Sequence, residues 1–226
     1  MSDTALVVAP HHDDEAIGCG GVVALLAARG WQLATAWVFA PIEGVASKQG
    51  KDRIFEAKIA SDILGISRTE SLNHPCREAV DEQAITWQLV ALIRAIRPRL
   101  LLIPHEDERD PEHRIVHRAA TEAVWLAESH YREALGGPVP RISCILGYEV
   151  WTPIRRPNTI CDITTTIDVK LSAVSAYASQ QALADYAAGF EGLARYRSVI
   201  SGAGQFAESF TVYRADAIPH PFSPFR

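Results

Sequence analysis

Cysteine is scarce and scattered: the 226 residues hold four, Cys19, Cys76, Cys144 and Cys161, with no CxxC pair among them. That pattern argues against a thiolate zinc site and against a disulfide framework. Apolar runs are short, none approaching the ~18 residues of a membrane-spanning helix. A basic surplus is missing too, since 22 Lys and Arg face 27 Asp and Glu for a net charge of −5, with the cations spread singly or in pairs. Nucleic acid is therefore not an expected partner. Met1-Ser2-Asp3 passes straight into a strand-like run without the basic and long apolar regions of a signal peptide, so a cytoplasmic setting is expected. No repeat or polar low-complexity linker divides the chain. One domain, 1–226, is expected, with a Rossmann-like half at 1–135 and a C-terminal elaboration at 136–226 that completes a substrate pocket.

The first half alternates strand-like and helix-like segments, the pattern of an α/β fold whose mostly parallel sheet is flanked by helices. Strands are expected at Leu6 to Ala9, Leu33 to Phe39, Glu70 to Leu72 and Leu100 to Ile103. Helices are expected from Gly20 to Arg29, Asp52 to Leu64, Glu82 to Arg97 before Pro98, and Pro111 to Glu128. Beyond the break at Gly136-Gly137-Pro138, Ile142 to Trp151 and Thr159 to Ile163 read as strands and Thr166 to Gln181 as a helix. The prolines of Ile218 to Phe225 forbid a helix there and make that tail an extended arm.

Pro10-His11-His12-Asp13-Asp14-Glu15 follows the apolar run Ala5 to Ala9 and precedes Gly18-Cys19-Gly20-Gly21. A buried strand ending in a tight turn places these residues at the carboxyl edge of a sheet, where open α/β folds bind ligands. Two imidazoles and three carboxylates packed so closely repel and desolvate one another unless a positive charge sits among them. A divalent metal is the simplest such charge. A hydrolytic zinc site draws three ligands from separate segments. The second donor segment is His105 to His117, which follows the strand at Leu100 and opens at the same edge. His113 and His117 share a helical face, but Arg114 stands where a metalloprotease helix needs glutamate. The glycine cluster lacks the GxGxxG spacing of a dinucleotide site.

These residues resemble the LmbE-like (PIG-L) de-N-acetylases, zinc hydrolases acting on N-acetylglucosamine-type sugars. Pro10 to Glu15 is similar to the family's PHPDDE signature, Arg53-Ile54-Phe55-Glu56 with Leu64-Gly65 to its RxxE and LG elements, and Asp110-Pro111-Glu112-His113 to its HPDH. Asp162-Ile163-Thr164, then Lys170 and Ser179-Gln180, resemble DIT and K…SQ, and Phe206 to Phe210 resembles YAExF. The resemblance implies that His11, Asp14 and His113 bind one zinc ion per chain, with Asp13 as catalytic base.

Two departures stand out. His12 replaces the usual proline and is either a substrate contact or a packed turn residue. Asp110 takes the place of the first histidine of HPDH, whose imidazole would assist the tetrahedral intermediate. Either Asp110 has another role or His105, just past a strand end, supplies the missing imidazole. Arg53 is a candidate substrate-binding residue, with a surface ion pair to Glu56 or Asp52 as its bland alternative. Cys76 reads as a small buried hydrophobe and Glu208 as structural, while Tyr148, Glu149 and Trp151 wall the pocket or fill the core. The expected activity is removal of an N-acetyl group from an amino sugar in a small molecule. The alternatives are an amidase for a thiol conjugate or other N-acyl compound, and a catalytically impaired sugar- or metal-binding protein. Oligomeric state is open, a homo-oligomer included.

Overall fold

Among the described residues, eight strands form one sheet in the order β3 (Arg68–His74), β2 (Gln32–Phe39), β1 (Thr4–Ala9), β4 (Leu100–Pro104), β5 (Cys144–Tyr148), β7 (Ala207–Ala215), β6 (Thr159–Asp162) and β8 (Phe222–Pro224). The computed structural model describes residues 3–40, 47–216 and 222–224. Strands β1, β2, β3, β4 and β5 pair in parallel. Strands β7, β6 and β8 extend the sheet by antiparallel pairing. Both faces of the parallel part are covered, which is why β1 reads as an unbroken apolar run. Its Ala5, Val7 and Ala9 pack into a core with α1 (Asp14–Ala28), α2 (Ser47–Leu64), α5 (Ile167–Ala176) and α7 (Tyr186–Ser201). Leu6 and Val8 pack on the other face with α3 (Glu82–Ile96) and α4 (Pro111–Ala127).

The α/β architecture and the parallel strands agree with the sequence, and the differences have local causes. Helix α1 starts at Asp14 rather than Gly20 and is broken at Cys19 (φ −145°, ψ 18°). The break frees backbone groups that two buried side chains take up. Glu208 accepts from the N–H groups of Gly21 and Val22, each at 2.9 Å, and Lys170 Nζ donates to Ile17 C=O at 2.7 Å and to Glu208 at 2.6 Å. The expected helix Thr166 to Gln181 is interrupted at Tyr177, leaving α6 (Ala178–Gln181) as a separate turn. Glu56 accepts from Ser179 N–H at 2.8 Å and from its hydroxyl at 2.6 Å, so the paired motifs of α2 and α6 are two ends of one contact. Of the extended tail, residues 222–224 form β8 and the rest lies outside the described residues.

The glycine cluster is explained by close approach. A Cβ on Gly18 would lie 2.3 Å from the Tyr148 ring, and one on Gly21 would lie 2.7 Å from Ile163. Tyr148 is a core residue, its hydroxyl donating to Val8 C=O at 2.9 Å. Buried Glu149 pairs with Arg197 at 2.5 Å, whereas Trp151 is 37% exposed and packs against Tyr186 and Phe190. None of the described helices is long and apolar enough to cross a membrane.

Strand order reverses at β1, with β2 on one side and β4 on the other. The chain leaves β1 into α1 on one face of the sheet and leaves β4 into α4 on the opposite face. The crevice between the two exits is a topological switch point, and both segments rich in histidine and carboxylate open there.

Candidate active site

Between β1 and α1 the chain turns so tightly that Asp13 is held at φ 132°, a region that side chains other than glycine avoid. Glu15 pins the turn. Its Oε2 accepts from Asp13 N–H at 3.3 Å and from Trp37 Nε1–H at 2.8 Å, and its Oε1 accepts from the Tyr177 hydroxyl at 2.6 Å. Burial raises the Glu15 carboxyl above its usual value while those hydrogen bonds oppose the rise.

Two imidazoles converge on Asp14, one from the turn and one from α4. His11 Nδ1 and His113 Nε2 each lie 3.3 Å from Asp14 Oδ2. The ligand atoms of His11, Asp14 and His113 fall within 4.8 Å of one another, and all three residues are buried. Among the described residues, Asp14 Oδ1 and both ring nitrogens of His113 are buried without a hydrogen-bond partner. Buried polar atoms are rarely left so, and two imidazoles with a carboxylate are a fitting donor set for a borderline divalent ion. The charges agree. Burial would lower His11, yet hydrogen bonds to Asp14, Cys76 and Glu112 hold it well above its ordinary value. Burial would raise Asp14, yet the two imidazoles hold it well below the usual carboxylate range. The group thus draws in positive charge.

Glu112 settles the orientation of His11. Its Oε2 accepts from His11 Nε2 at 2.6 Å, and Nδ1 is the nitrogen turned toward Asp14. Burial would raise Glu112, but His11 and the Arg77 N–H hold it low. In sequence Glu112 is only one letter of the HPDH-like element, and its place beside His113 at the first turn of α4 is the signal that marks it. Glu108 was missed: it accepts from the N–H groups of Val150 and Trp151 at 2.7 and 3.0 Å and lies 3.9 Å from His113 Nδ1.

Asp13 stands beside the group without joining it. Its Oδ2 accepts from Arg53 Nη2 at 2.7 Å. Burial pushes its carboxyl up to about 7, with Arg53 opposing and the Asp14 charge assisting. Arg53 thus reaches the site rather than a surface partner, and its Nε is buried with no partner among the described residues. The His12 ring stacks on Trp37 at 4.6 Å, and burial together with the Arg53 charge pushes its pKa down to about 3, so it is neutral.

The other expected residues lie apart. Asp110 caps α4, accepting from Glu112 N–H at 2.9 Å, and binds Arg77 through both oxygens at 2.7 and 2.8 Å. Burial opposes the Arg77 contact there, and the carboxyl stays below its ordinary value. Arg77 is therefore the cation beside the position of the family's first histidine. His105 Nε2 bonds Thr152 C=O at 2.8 Å and its Nδ1 accepts from Asp107 N–H at 3.3 Å, so the ring is engaged by its own loop. Its route to the metal-binding group runs through Glu108, 3.4 Å away. His117 bonds Pro104 C=O at 2.9 Å and stays outside the group. Cys76 is half-buried rather than core, with Sγ 3.4 Å from Glu112.

Comparison with known proteins identifies the family and the fold. The family model described as "PIG-L: GlcNAc-PI de-N-acetylase" matches residues 6–124, which contain both convergent segments. A diacetylchitobiose deacetylase of Thermococcus kodakarensis is 28% identical over 77% of this chain and 69% of its own. A 4-oxalmesaconate hydratase of Pseudomonas putida is 27% identical over 81% of this chain and 76% of its own. The crystal structure of the conserved protein TT1542 from Thermus thermophilus superposes with a TM-score of 0.84 at 29% identity, covering 97% of this chain and 98% of that one.

Proposed function

The chain belongs to the PIG-L family of GlcNAc-PI de-N-acetylases, and from that premise we propose that it is a zinc-dependent hydrolase removing the N-acetyl group of an N-acetylglucosamine-type sugar. The observation that carries this reading is the convergence of His11, Asp14 and His113 beside a separately held carboxylate, Asp13. His11, Asp14 and His113 would hold the zinc, which would supply Lewis acidity for a water molecule and the amide carbonyl. Asp13 takes the proton of the attacking water as the new C–O bond forms. It then returns that proton to the nitrogen as the C–N bond breaks, releasing acetate and the amine. Arg53 fixes Oδ2 of Asp13, leaving Oδ1 for the transfer, and its unpartnered Nε–H is a donor for a substrate oxygen.

Metal-replete protein is expected to release amine from N-acetylglucosaminides when a panel of varied aglycones is offered. It is expected to hold about one zinc per chain and to lose activity reversibly on chelation. His113→Ala should lose the metal and His117→Ala keep it; the opposite result in elemental analysis would move the ligand. A second reading is addition of water to an unsaturated oxo acid, the kind of reaction carried in the name of the Pseudomonas putida relative. Arg77 at the edge of the site and Arg53 Nε would then hold carboxylates. An unsaturated oxo dicarboxylate in the same panel, followed by loss of its conjugated absorbance, separates the two readings.

His105, which reaches the group only through Glu108 beside His113, is read as a positioning residue in place of the imidazole that Asp110 removes. His105→Ala is expected to lower kcat with zinc retained. If it were silent while Asp110→Asn was crippled, the role would pass to the Asp110–Arg77 pair.

A further inference from the structure

His11 lies between two groups of donor side chains. A ring nitrogen of His11, Cys76 Sγ and a Glu112 carboxylate oxygen also lie within 4.8 Å of one another, with His11 and Glu112 buried and Cys76 half-buried; Nε2 is the nitrogen on the Glu112 side. Imidazole, thiolate and carboxylate are together a donor set for a soft or borderline divalent ion. Glu112 Oε2 is the hub, 2.6 Å from His11 Nε2 and 3.4 Å from Cys76 Sγ. Charge permits occupancy. The Glu112 and Asp110 carboxylates outweigh the one guanidinium of Arg77, whose Nη1 lies 3.3 Å from Glu112 and whose bidentate partner is Asp110.

We propose that His11, Cys76 and Glu112 form a second metal site, selective for soft divalent ions, that competes with the His11–Asp14–His113 site for the one imidazole they share. The proposal rests on the assignment of His11 to the first site. A neutral imidazole has one lone pair, so it serves one ion at a time. In the neutral tautomer that donates Nε2–H to Glu112, the lone pair lies at Nδ1, the nitrogen that faces Asp14. An ion on Nε2 displaces the proton there and takes Glu112 from its hydrogen bond. The ring proton then sits on Nδ1, where it points at Asp14, and the first site loses a ligand; the Cys76 thiol proton leaves to solvent. Coupling of this kind is reciprocal, so zinc at the first site weakens soft-ion binding at the second by the same factor.

Cadmium ion alone is the probe, because the ultraviolet thiolate-to-cadmium band reports a sulfur ligand and the first site has none. Cys19, Cys144 and Cys161 are buried, and burial raises all three thiols. Titration of the apoprotein is expected to give a band equal to one cadmium per chain. Cys76→Ser should abolish it, Glu112→Gln should weaken the affinity about tenfold or more, and saturating zinc should shift the titration to higher cadmium. Absence of the band, its survival in Cys76→Ser, or a titration indifferent to zinc would overturn the proposal. Zinc bound by Cys76→Ser reports the first site by itself, so failure of the metal assignment above shows as loss of that zinc rather than of the band.

Discussion

Asparagine in place of Asp13 is expected to lower kcat at least about a hundredfold, the usual scale of general acid–base help, while elemental analysis finds the metal content unchanged. The two adjacent aspartates are alike in sequence and opposite in surroundings. Asp14 is held ionised by the imidazoles of His11 and His113, so it is suited to a cation and has little basicity left. Asp13 is pushed up to about 7 by burial, against the pull of Arg53, so it can accept a proton near neutrality and give it back. Asparagine keeps the Arg53 contact through its amide oxygen and removes only the proton acceptor. Asp14→Asn should instead lose metal and turnover together. Near wild-type kcat in Asp13→Asn would show that water is activated without a carboxylate base.

The carboxyl-edge turn was legible because three independent signals coincide there: a fully apolar strand, a cluster of ionisable residues and a run of glycines. Its partner segment was legible for a similar reason, as histidines and carboxylates directly after Leu100 to Ile103. What sequence did not disclose is how the histidines are oriented. Glu112 and Glu108 lie in an acidic run that composition reads as solvated loop, and only the fold shows one gripping His11 and the other the backbone after β5. Arg77 was invisible because its partner Asp110 is 33 residues away. Helix α7 and most of β7 were missed for another reason. Arg197 on α7 is buried only because Glu149 awaits it, and a charged residue in the buried face blurs the apolar period.

The same blindness applied to the start of α1, where the family-like motifs around Lys170 and Glu208 turn out to be one device. Breaking it is expected to be among the most destabilising single changes in the chain. Lys170 and Glu208 are buried, 2.6 Å apart, and span the break at Cys19 by taking the Ile17 carbonyl on one side and the Gly21 and Val22 N–H groups on the other. Removing one partner of a buried pair costs about 3–5 kcal/mol, because the other charge is left uncompensated. Glu208→Ala should sit at the upper end of that range, since it strands the Lys170 ammonium and two N–H groups together. Lys170→Met should cost less, because Glu208 keeps both backbone donors. Chemical denaturation of the three proteins reads the order, and the double variant should recover part of the loss. The short first segment of α1 carries Asp14, so Glu208→Ala should also weaken metal retention even where the protein remains folded. Single variants within about 1 kcal/mol of wild type, the range of an exposed pair, would mean that water replaces the ion pair at the break and that Asp14 is positioned by its own turn alone.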